Sequence, residues 1–402
     1  MEPRRILVAV TAGIAAYKIP ELVRTLQRAG HTVRCVLTRE AAHFVSPLVL
    51  RALTGEPVRS ELLEPSEEGE IDHIALADWT ELAIVAPATA NTLARMAHGL
   101  ADDLLTAVLL ATRAPVLVAP AMNVNMWEHP ATRANVATLR ERGVQTVGPE
   151  AGELACGWQG EGRMSEPETI AGRAELALGS DSLAGLSVIA TAGGTREPID
   201  AVRSLSNSSS GKMGFAVAAE AARRGARVVL IAAPCALATP PGVERVDVRT
   251  ALEMRDAVMA ALPRADVVVK AAAVADFRPA SARGHKLKKE ALSEGEGLRL
   301  ELVPNPDILA EVAAQSDGRI VVGFAAESED VIPAAQRKLA RKGCDLMVAN
   351  DISRGDAGFD VDSNAVSFVW PGGEVEELPL LPKAEVAARL FDHIEKLLQG
   401  RS

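Results

Sequence analysis

The stretch Pro-Ala-Met-Asn-Val-Asn-Met-Trp at residues 120–127 decides how the first half of this chain folds. It follows the apolar run Ala-Pro-Val-Leu-Val-Ala at 114–119, which is typical of a strand buried on both faces of a parallel sheet. A turn after such a strand lies at the carboxyl edge of the sheet, where open α/β sheets bind ligands. Because an amide both donates and accepts hydrogen bonds, Asn123 could bind a carboxylate or a ring carbonyl. It could equally do no more than cap the next helix.

The composition limits the classes of protein to consider. At 402 residues the chain is long enough for two or three domains, and its hydrophobic share of 48% fits an α/β protein. A formal net charge of −10 argues against nonspecific binding to nucleic acid or to a membrane. No apolar run reaches the roughly 20 residues that a membrane span needs. A ligand that carries phosphate therefore requires a local group of basic residues.

The four cysteines form no CxxC pair and show no zinc spacing, a pattern that suits a reducing cytoplasm. Cys35, Cys235 and Cys344 lie in or beside apolar runs, so we interpret them as small core residues. Cys156 lies in the stretch 151–164, which contains four glycines and has no strand or helix period. We predict a flexible, exposed loop there, and Cys156 is the cysteine to suspect of reactivity.

The first half reads as a doubly wound α/β domain. A strand at 6–10, a tight turn, an amphipathic helix at 18–29 and a strand at 32–37 form a β-turn-α-β unit. A second buried strand at 82–86 precedes one long helical stretch, 93–112. The polar residues at the ends of these strands could cap helices or bind a phosphate; they are Thr38, Thr89, Asn91 and Thr92. His73 enters an apolar helical turn, where it could be either a semi-buried structural histidine or a functional one.

The second half begins after a Gly/Ser-containing linker. We divide the chain into a domain at 1–179, a linker at 180–185 and a domain at 186–402, because a second β-turn-α-β unit starts at Ser187. The polar loop 204–214 contains Asn207 and could cradle an anion or be a disordered linker. The segment 285–289 is a basic patch that could also be a solvated loop. Lys338 and Lys342 are four residues apart, hence on one helix face.

Taken together, these motifs resemble a known family, the bifunctional proteins of coenzyme A biosynthesis. That family fuses a flavin-dependent phosphopantothenoylcysteine decarboxylase to a phosphopantothenate–cysteine ligase. The resemblance covers nearly the whole chain, and its motifs occur in the family's order. The first half contributes Gly-Ile-Ala-Ala-Tyr-Lys, His73, Pro-Ala-Thr-Ala-Asn-Thr, Pro-Ala-Met-Asn and Ala-Cys-Gly…Gly-Arg-Met. The second contributes Thr-Ala-Gly-Gly-Thr-Arg-Glu-Pro, Ser-Asn-x-Ser-Ser-Gly-Lys-Met-Gly, Ala-Ala-Val-Ala-Asp-Phe, Lys-x-Lys-Lys, Asn-Pro-Asp-Ile and Val-Gly-Phe-Ala-Ala-Glu.

The resemblance implies a flavodoxin-like FMN domain followed by a Rossmann-like CTP domain. FMN is expected near Gly13, Thr38, Thr89, Ala90, Asn91, Thr92 and Ala121. CTP, with Mg²⁺ beside its phosphates, is expected near Asp276, Lys286, Pro306, Asp307, Ile308, Leu309, Phe324, Lys338 and Lys342. The implied catalytic residues are His73, Asn123, Cys156, Asn207 and Lys286, with Cys156 and Met164 on a substrate loop. The resemblance also implies a cytoplasmic homo-oligomer.

The implied chemistry joins 4′-phosphopantothenate to cysteine through an acyl-cytidylate made from CTP. The second activity oxidises the cysteine thiol of that product transiently, releases carbon dioxide and gives 4′-phosphopantetheine, with FMN returned to its starting state. Two other classes of protein remain for comparison. A non-catalytic flavin-binding regulatory protein is expected to lack His73, Asn123 or Cys156, and all three are present. An NAD-dependent dehydrogenase is disfavoured because neither half contains GxGxxG.

Overall fold

The computed structural model describes residues 3–62, 72–154, 157–288, 298–315, 317–327, 329–351 and 361–401. The chain forms two compact units, Met1–Gly179 and Ser180–Ser402. In the described residues, no helix is both long enough and apolar enough to cross a membrane.

The first unit contains one five-stranded sheet, a hairpin and eight α-helices among its described residues. The sheet strands are β1 (Arg5–Val10), β2 (Thr32–Leu37), β3 (Leu82–Ala88), β4 (Val116–Pro120) and β5 (Gln145–Thr146), and the hairpin strands are β6 (Glu150–Glu153) and β7 (Gln159–Arg163). The helices are α1 (Ile19–Arg28), α2 (Pro47–Thr54), α3 (Asp72–Trp79), α4 (Ala90–His98), α5 (Leu104–Ala111), α6 (Val124–Glu128), α7 (Pro130–Glu141) and α8 (Pro167–Ala177), and 3₁₀ turns occupy Ile14–Lys18 and Arg39–His43.

The strand order of this sheet is β2-β1-β3-β4-β5, and every pair is parallel. All seven residues of β3 are buried, because helices cover both faces of the sheet. This is the flavodoxin-like order, in which the chain moves outward from β1 to β2 and then returns to the other side of β1 to form β3. The predicted fold class of the first half is confirmed.

The predicted single helix at 93–112 is wrong, since two helices occupy this stretch. Helix α4 ends at Gly99, whose φ of 68° is left-handed and stops the helix. Helix α5 begins after Asp103, whose side chain accepts a hydrogen bond from the Thr106 backbone N–H at 2.7 Å. Apolar residues on both sides of the break concealed it, because their spacing continues through Gly99.

The stretch 151–164 contains an antiparallel hairpin of β6 and β7, which contradicts the prediction of a flexible loop. Gly160 and Gly162 have φ of 149° and 157°, and a Cβ at either position would overlap Val124 or the Met122 carbonyl oxygen. The Met122 N–H donates to the Gly162 carbonyl at 3.0 Å. These glycines therefore permit a close approach to the Pro-Ala-Met-Asn turn, which composition alone could not distinguish from flexibility.

The second unit contains an eight-stranded sheet, three short strand pairs and five α-helices among its described residues. The main sheet consists of β8 (Ser187–Ala192), β11 (Arg227–Ala232), β12 (Val243–Asp247), β13 (Val267–Lys270), β16 (Ile320–Glu327), β17 (Leu346–Asp351), β19 (Val366–Val369) and β20 (Val375–Glu377). The short pairs are β9 (Arg196–Pro198) with β10 (Ser204–Ser206), β14 (Phe277–Pro279) with β15 (Leu302–Pro304), and β18 (Ser363–Asn364) with β21 (Leu381–Pro382). The helices are α9 (Lys212–Arg223), α10 (Ala251–Ala261), α11 (Ile308–Ala313), α12 (Val331–Lys342) and α13 (Lys383–Gln399), with a 3₁₀ turn at Leu262–Arg264.

The order of the large sheet is β12-β11-β8-β13-β16-β17-β19-β20, and its first six strands are parallel. This is the Rossmann order with an antiparallel extension, β19 and β20, at one edge. Strands β12 and β20 were not predicted, because their mixed polar and apolar residues resemble loops. The predicted Rossmann-like class is confirmed.

The stretch 180–185 packs on the second unit. Leu183 is buried, and its N–H donates to the Arg224 carbonyl at 2.8 Å. The Ser182 hydroxyl donates to Glu395 at 2.6 Å. Arg224 itself contacts Glu220, Asp392 and Glu395, so α9 and α13 are linked by one buried guanidinium. This stretch, which was predicted to be a linker from its Gly/Ser composition, is therefore packed against the core of the second unit.

The hairpin contact makes a testable prediction for Gly162→Ala. The new methyl group would overlap the Met122 carbonyl and also impose a strained positive φ, so we expect the free energy of unfolding to fall by about 3 kcal/mol. Gly157→Ala is the matched control, because Gly157 also has a positive φ (78°) but no atom within 4 Å of the position that a Cβ would occupy. Denaturant unfolding of the full chain should show a clearly smaller loss, about 1 kcal/mol, for the control. Equal losses would contradict the close approach.

Candidate functional site

In the first unit, the loops after β1 and β3 are joined at the carboxyl edge of the sheet. The Thr11 hydroxyl donates to the Pro87 carbonyl at 2.6 Å and accepts from the Thr89 N–H at 3.3 Å. Thr89 caps α4 by accepting from the Thr92 N–H at 3.3 Å. The positive end of this nine-residue helix, Ala90–His98, therefore lies at the point where the strand order reverses, which suits an anion.

The other residues predicted to contact a flavin surround this edge. Thr38 follows β2, and its hydroxyl is buried without a hydrogen-bond partner in the described part of the chain. Gly13 follows β1, and a Cβ there would lie 3.8 Å from Pro87 and 3.9 Å from Thr89. The Ala121 N–H donates to the Ala88 carbonyl at 3.1 Å, which joins the end of β4 to that of β3. Of the α4 residues, Ala90 is partly buried, Asn91 is exposed and Thr92 is buried.

The Pro-Ala-Met-Asn turn also lies at this edge. Asn123 caps α6, because its side-chain oxygen accepts from the Asn125 N–H at 2.9 Å. The prediction that Asn123 caps the next helix is therefore correct for its side-chain oxygen. This hydrogen bond does not prevent the side-chain NH₂ group from contacting a ligand. Met164 is buried just after β7, and His73 lies, partly buried, in the first turn of α3. Cys156 lies outside the described residues.

In the second unit, a cavity of about 680 Å³ lies at the carboxyl ends of the central strands. The cavity is bounded by the polar loop before α9, the segments after β13 and β16, and the face of α12. It brings Asn207, which the resemblance implied to be catalytic, together with most of the residues predicted for the nucleotide. The nucleotide residues that line it are Asp276, Pro306, Asp307, Ile308, Leu309, Phe324, Lys338 and Lys342.

Local hydrogen bonds hold several of these groups in place. Asp307 caps α11 by accepting from the Ala310 N–H at 3.2 Å, and it forms an ion pair with Lys342. Burial acts to raise the pKa of Asp307, but the hydrogen bonds from Lys342 and the Ala310 N–H, together with the charges of Lys342 and Lys270, lower it below its usual value. The Lys338 ammonium donates to the Phe324 carbonyl at 3.2 Å. Burial, together with the nearby Lys342, lowers the pKa of Lys338.

Further polar residues that line the cavity were not among the predicted site residues; they include Lys212, Lys270, Asn350, Asn364 and Lys383. Lys270 and Asn350 lie at or near the carboxyl ends of β13 and β17, so the rule that open α/β sheets bind ligands at this edge could have found them. The side-chain oxygens of Asn350 and Asn364 are buried without hydrogen-bond partners among the residues described. No sequence pattern connects Asn364 or Lys383 to this site.

Lys286 is the predicted nucleotide residue that does not line the cavity in this structure; its side chain is exposed. Its neighbour Leu287 is anchored, because its N–H donates to Asp200 at 3.0 Å and its carbonyl accepts from Arg203 at 2.7 Å. Hydrogen bonds from Arg203 are the main reason that the pKa of Asp200 falls well below its usual range. The last residue of the basic patch, Lys289, lies outside the described residues.

The three cysteines interpreted as core residues are free thiols. Cys35 and Cys344 are buried, and burial raises the pKa of Cys35 to about 12 and that of Cys344 to about 11. Both thiols are thus unreactive at neutral pH, which confirms the interpretation for these two. Cys235 is partly exposed and packs against the core of the second unit.

Comparison with known proteins assigns a family to each half of the chain. Residues 1–173 match the flavoprotein family, and residues 183–398 match the family of the DNA/pantothenate metabolism flavoprotein C-terminal domain. The chain is 48% identical over 393 residues to the coenzyme A biosynthesis bifunctional protein CoaBC of Escherichia coli K12, covering 97% of this chain and 96% of that protein. It is 44% identical over 398 residues to CoaBC of Bacillus subtilis 168, covering 98% and 97%.

A solved structure of the C-terminal domain of a CoaBC protein is 39% identical, with a TM-score of 0.47, and it covers 55% of this chain and 100% of that one. The identity to the two curated proteins extends over both units and over nearly the whole length of each relative. The chain therefore belongs to the family of coenzyme A biosynthesis bifunctional proteins, enzymes that combine a decarboxylase (lyase) with a ligase.

Proposed function

We propose that the second unit ligates 4′-phosphopantothenate to cysteine with CTP, and that the first unit decarboxylates the product to 4′-phosphopantetheine with FMN. The single observation that carries the ligase assignment is the cavity at the centre of the Rossmann sheet, into which an acidic chain places several lysines. A triphosphate requires such a local group of cations, because the remaining surface would repel it. A non-catalytic regulatory role has no observation in its favour.

The described residues of the first unit fit FMN. The hydroxyl of Thr38, which has no hydrogen-bond partner among the described residues, offers a hydrogen bond to a ligand. The Thr89-capped start of α4 offers positive charge to a phosphate. We assign Gly13, Ala90, Asn91, Thr92 and Ala121 to the same site. When bound, the flavin would supply a two-electron oxidant that is restored by the end of the cycle.

Three side chains of this unit are assigned to the decarboxylation. Asn123 would hold the substrate carboxylate that is lost, and His73 would stand near the thiol as a polar or basic group. Cys156 would return a proton to the substrate after carbon dioxide has left, with Met164 beside it on the substrate loop. A thiol suits that step because its S–H group is a stronger acid than an alcohol and can donate the proton.

In the ligase, the carboxylate of 4′-phosphopantothenate would attack the α-phosphorus of CTP, giving an acyl-cytidylate and pyrophosphate. The amine of cysteine would then attack the acyl carbon, and CMP would leave as the amide forms. Lys338 and Lys342 would bind the phosphate chain, Asn207 would orient the acyl group, and Asp276 would lie beside the nucleotide. Lys286 would move to the α-phosphate and stabilise the charge that develops there.

We propose that Mg²⁺ enters this site with the nucleotide. The described residues contain no group of three or more His, Cys, Asp or Glu side chains placed to hold a metal. Mg²⁺ is usually held by substrate phosphates, waters and one or two carboxylates, so such a protein cage is not required. We also propose that the enzyme acts in the cytoplasm as a homo-oligomer, an assignment that rests on the family.

The function is tested by supplying 4′-phosphopantothenate, cysteine, CTP and Mg²⁺ to the wild type and to Lys286→Gln. The wild type should form 4′-phosphopantetheine, whereas the variant should lose about a hundredfold in ligation rate, the usual scale for one aimed charge. Lys288→Gln is the control, since Lys288 is also exposed and belongs to the same basic patch. Mass analysis of the products would refute the assignment of Lys286 if acyl-cytidylate formed at the normal rate.

The decarboxylase assignment predicts that Asn123→Asp remains folded and binds flavin but does not release carbon dioxide. Aspartate keeps the acceptor that caps α6, whereas its charge repels the substrate carboxylate and it cannot donate a hydrogen bond. The flavin absorbance spectrum checks binding, and carbon dioxide release from phosphopantothenoylcysteine checks turnover. Asn125→Ala should behave as the wild type, and normal turnover by Asn123→Asp would rule out a contact with the departing carboxylate.

A further inference from the structure

Lys270 occupies the central position at the edge of the Rossmann sheet. It is the last residue of β13, and it pairs with Thr191 of β8 on one side and Gly323 of β16 on the other. Strand order reverses between β8 and β13, so Lys270 lies where ligands bind in this class of sheet. Lys270 lines the 680 Å³ cavity, as do Ile308 and Leu309.

The ammonium group of Lys270 lacks a close partner. Within the described ranges of the chain, it forms neither a hydrogen bond nor an ion pair. The charged groups that face it are Lys338 and Lys342 on α12, Asp307 before α11 and Asp276 after β13. Asp307 is already paired with Lys342. Because Lys212 and Lys383 also line the cavity, its described lining carries five lysines and two aspartates.

We propose that Lys270 is a third phosphate-binding lysine of this cavity, and that it contacts the phosphate chain of the nucleotide together with Lys338 and Lys342. The inference rests on the proposed CTP-dependent function and adds a residue to that site. A partly buried ammonium that lies beside two other lysines is unfavourable, and phosphate oxygens are the ligand chemistry that offsets this repulsion. The phosphate of 4′-phosphopantothenate has the same chemistry, so the test includes both ligands.

The contact has a consequence for the pH dependence of binding. Burial, then Lys338, lowers the pKa of Lys270 to about 8, while Asp307 and Asp276 act in the opposite direction. A bound polyanion favours the charged ammonium and raises that pKa, so binding takes up a proton. Nucleotide affinity should be complete below the pKa of the free protein and should fall as the pH rises through about 8. At pH 8, the uptake should be about half a proton per site.

The experiment measures CTP, CMP and 4′-phosphopantothenate binding to the full chain by calorimetry at pH 8, in two buffers with different heats of ionisation. Lys270→Met should bind CTP about tenfold more weakly and take up fewer protons than the wild type, whereas its affinity for CMP should remain near that of the wild type. Lys396→Met is the matched control, because Lys396 is exposed on α13 and does not line the cavity. It should behave as the wild type.

A second variant tests whether a loss of CTP affinity comes from the lost positive charge or from a change in the fold. Lys270→Arg keeps a cation that does not titrate, so it should bind CTP nearly as well as the wild type while proton uptake decreases. Unchanged CTP affinity in Lys270→Met, an equal loss for CMP, or a loss confined to 4′-phosphopantothenate would each overturn the proposal. Failure of the wild type to bind CTP would instead refute the proposed function.

Discussion

Both ligand sites depend on one constraint, the reversal of strand order in an open parallel sheet. In the first unit the reversal lies between β1 and β3, and in the second it lies between β8 and β13. The loops that leave the two strands diverge there, because their helices cover opposite faces of the sheet, and a crevice remains at the carboxyl edge. The buried strands fix the positions of these loops, so polar residues can be held at the edge without being part of the core.

The two crevices differ in the chemistry that lines them. In the first, hydroxyl groups and a helix N-terminus predominate, and Thr11 and Thr89 connect the two loops through one hydrogen-bonded hydroxyl. In the second, lysines from a strand and from α12 converge on a cavity of about 680 Å³. The chain has a net charge of −10, so this local excess of cations is distinct from the general surface. The difference matches a neutral ring system with one phosphate in the first unit and a polyphosphate in the second.

Much of this arrangement could be predicted from the sequence, because buried strands and the residues that follow them have clear patterns. Asp307, Lys338 and Lys342 are residues of this kind, and they converge on one cavity. The prediction of a flexible loop at 151–164 was wrong, because glycine occurs both where a chain is flexible and where two backbones approach closely. Only the contact of Gly162 with Met122 distinguishes the two cases.

Other features depend on distances that a sequence does not contain. Lys270 ends an apolar strand and could be interpreted as a solvated lysine until α12 places Lys338 and Lys342 beside it. The buried oxygens of Asn350 and Asn364 could be recognised only once their lack of partners among the described residues was known. Conversely, the sequence grouped Lys286 with the nucleotide residues, whereas its side chain is exposed and does not line the cavity.

The central claim is that each unit binds its ligand at its own strand-order reversal, and a crystal structure with FMN and CTP tests it most directly. The account predicts density for the flavin between the loops that follow β1 and β3, with its phosphate at the start of α4. It predicts the CTP phosphates between Lys270 and α12, at the carboxyl ends of β8 and β13. Density for either ligand at the opposite edge of its sheet, or on an outer helix face, would contradict the account.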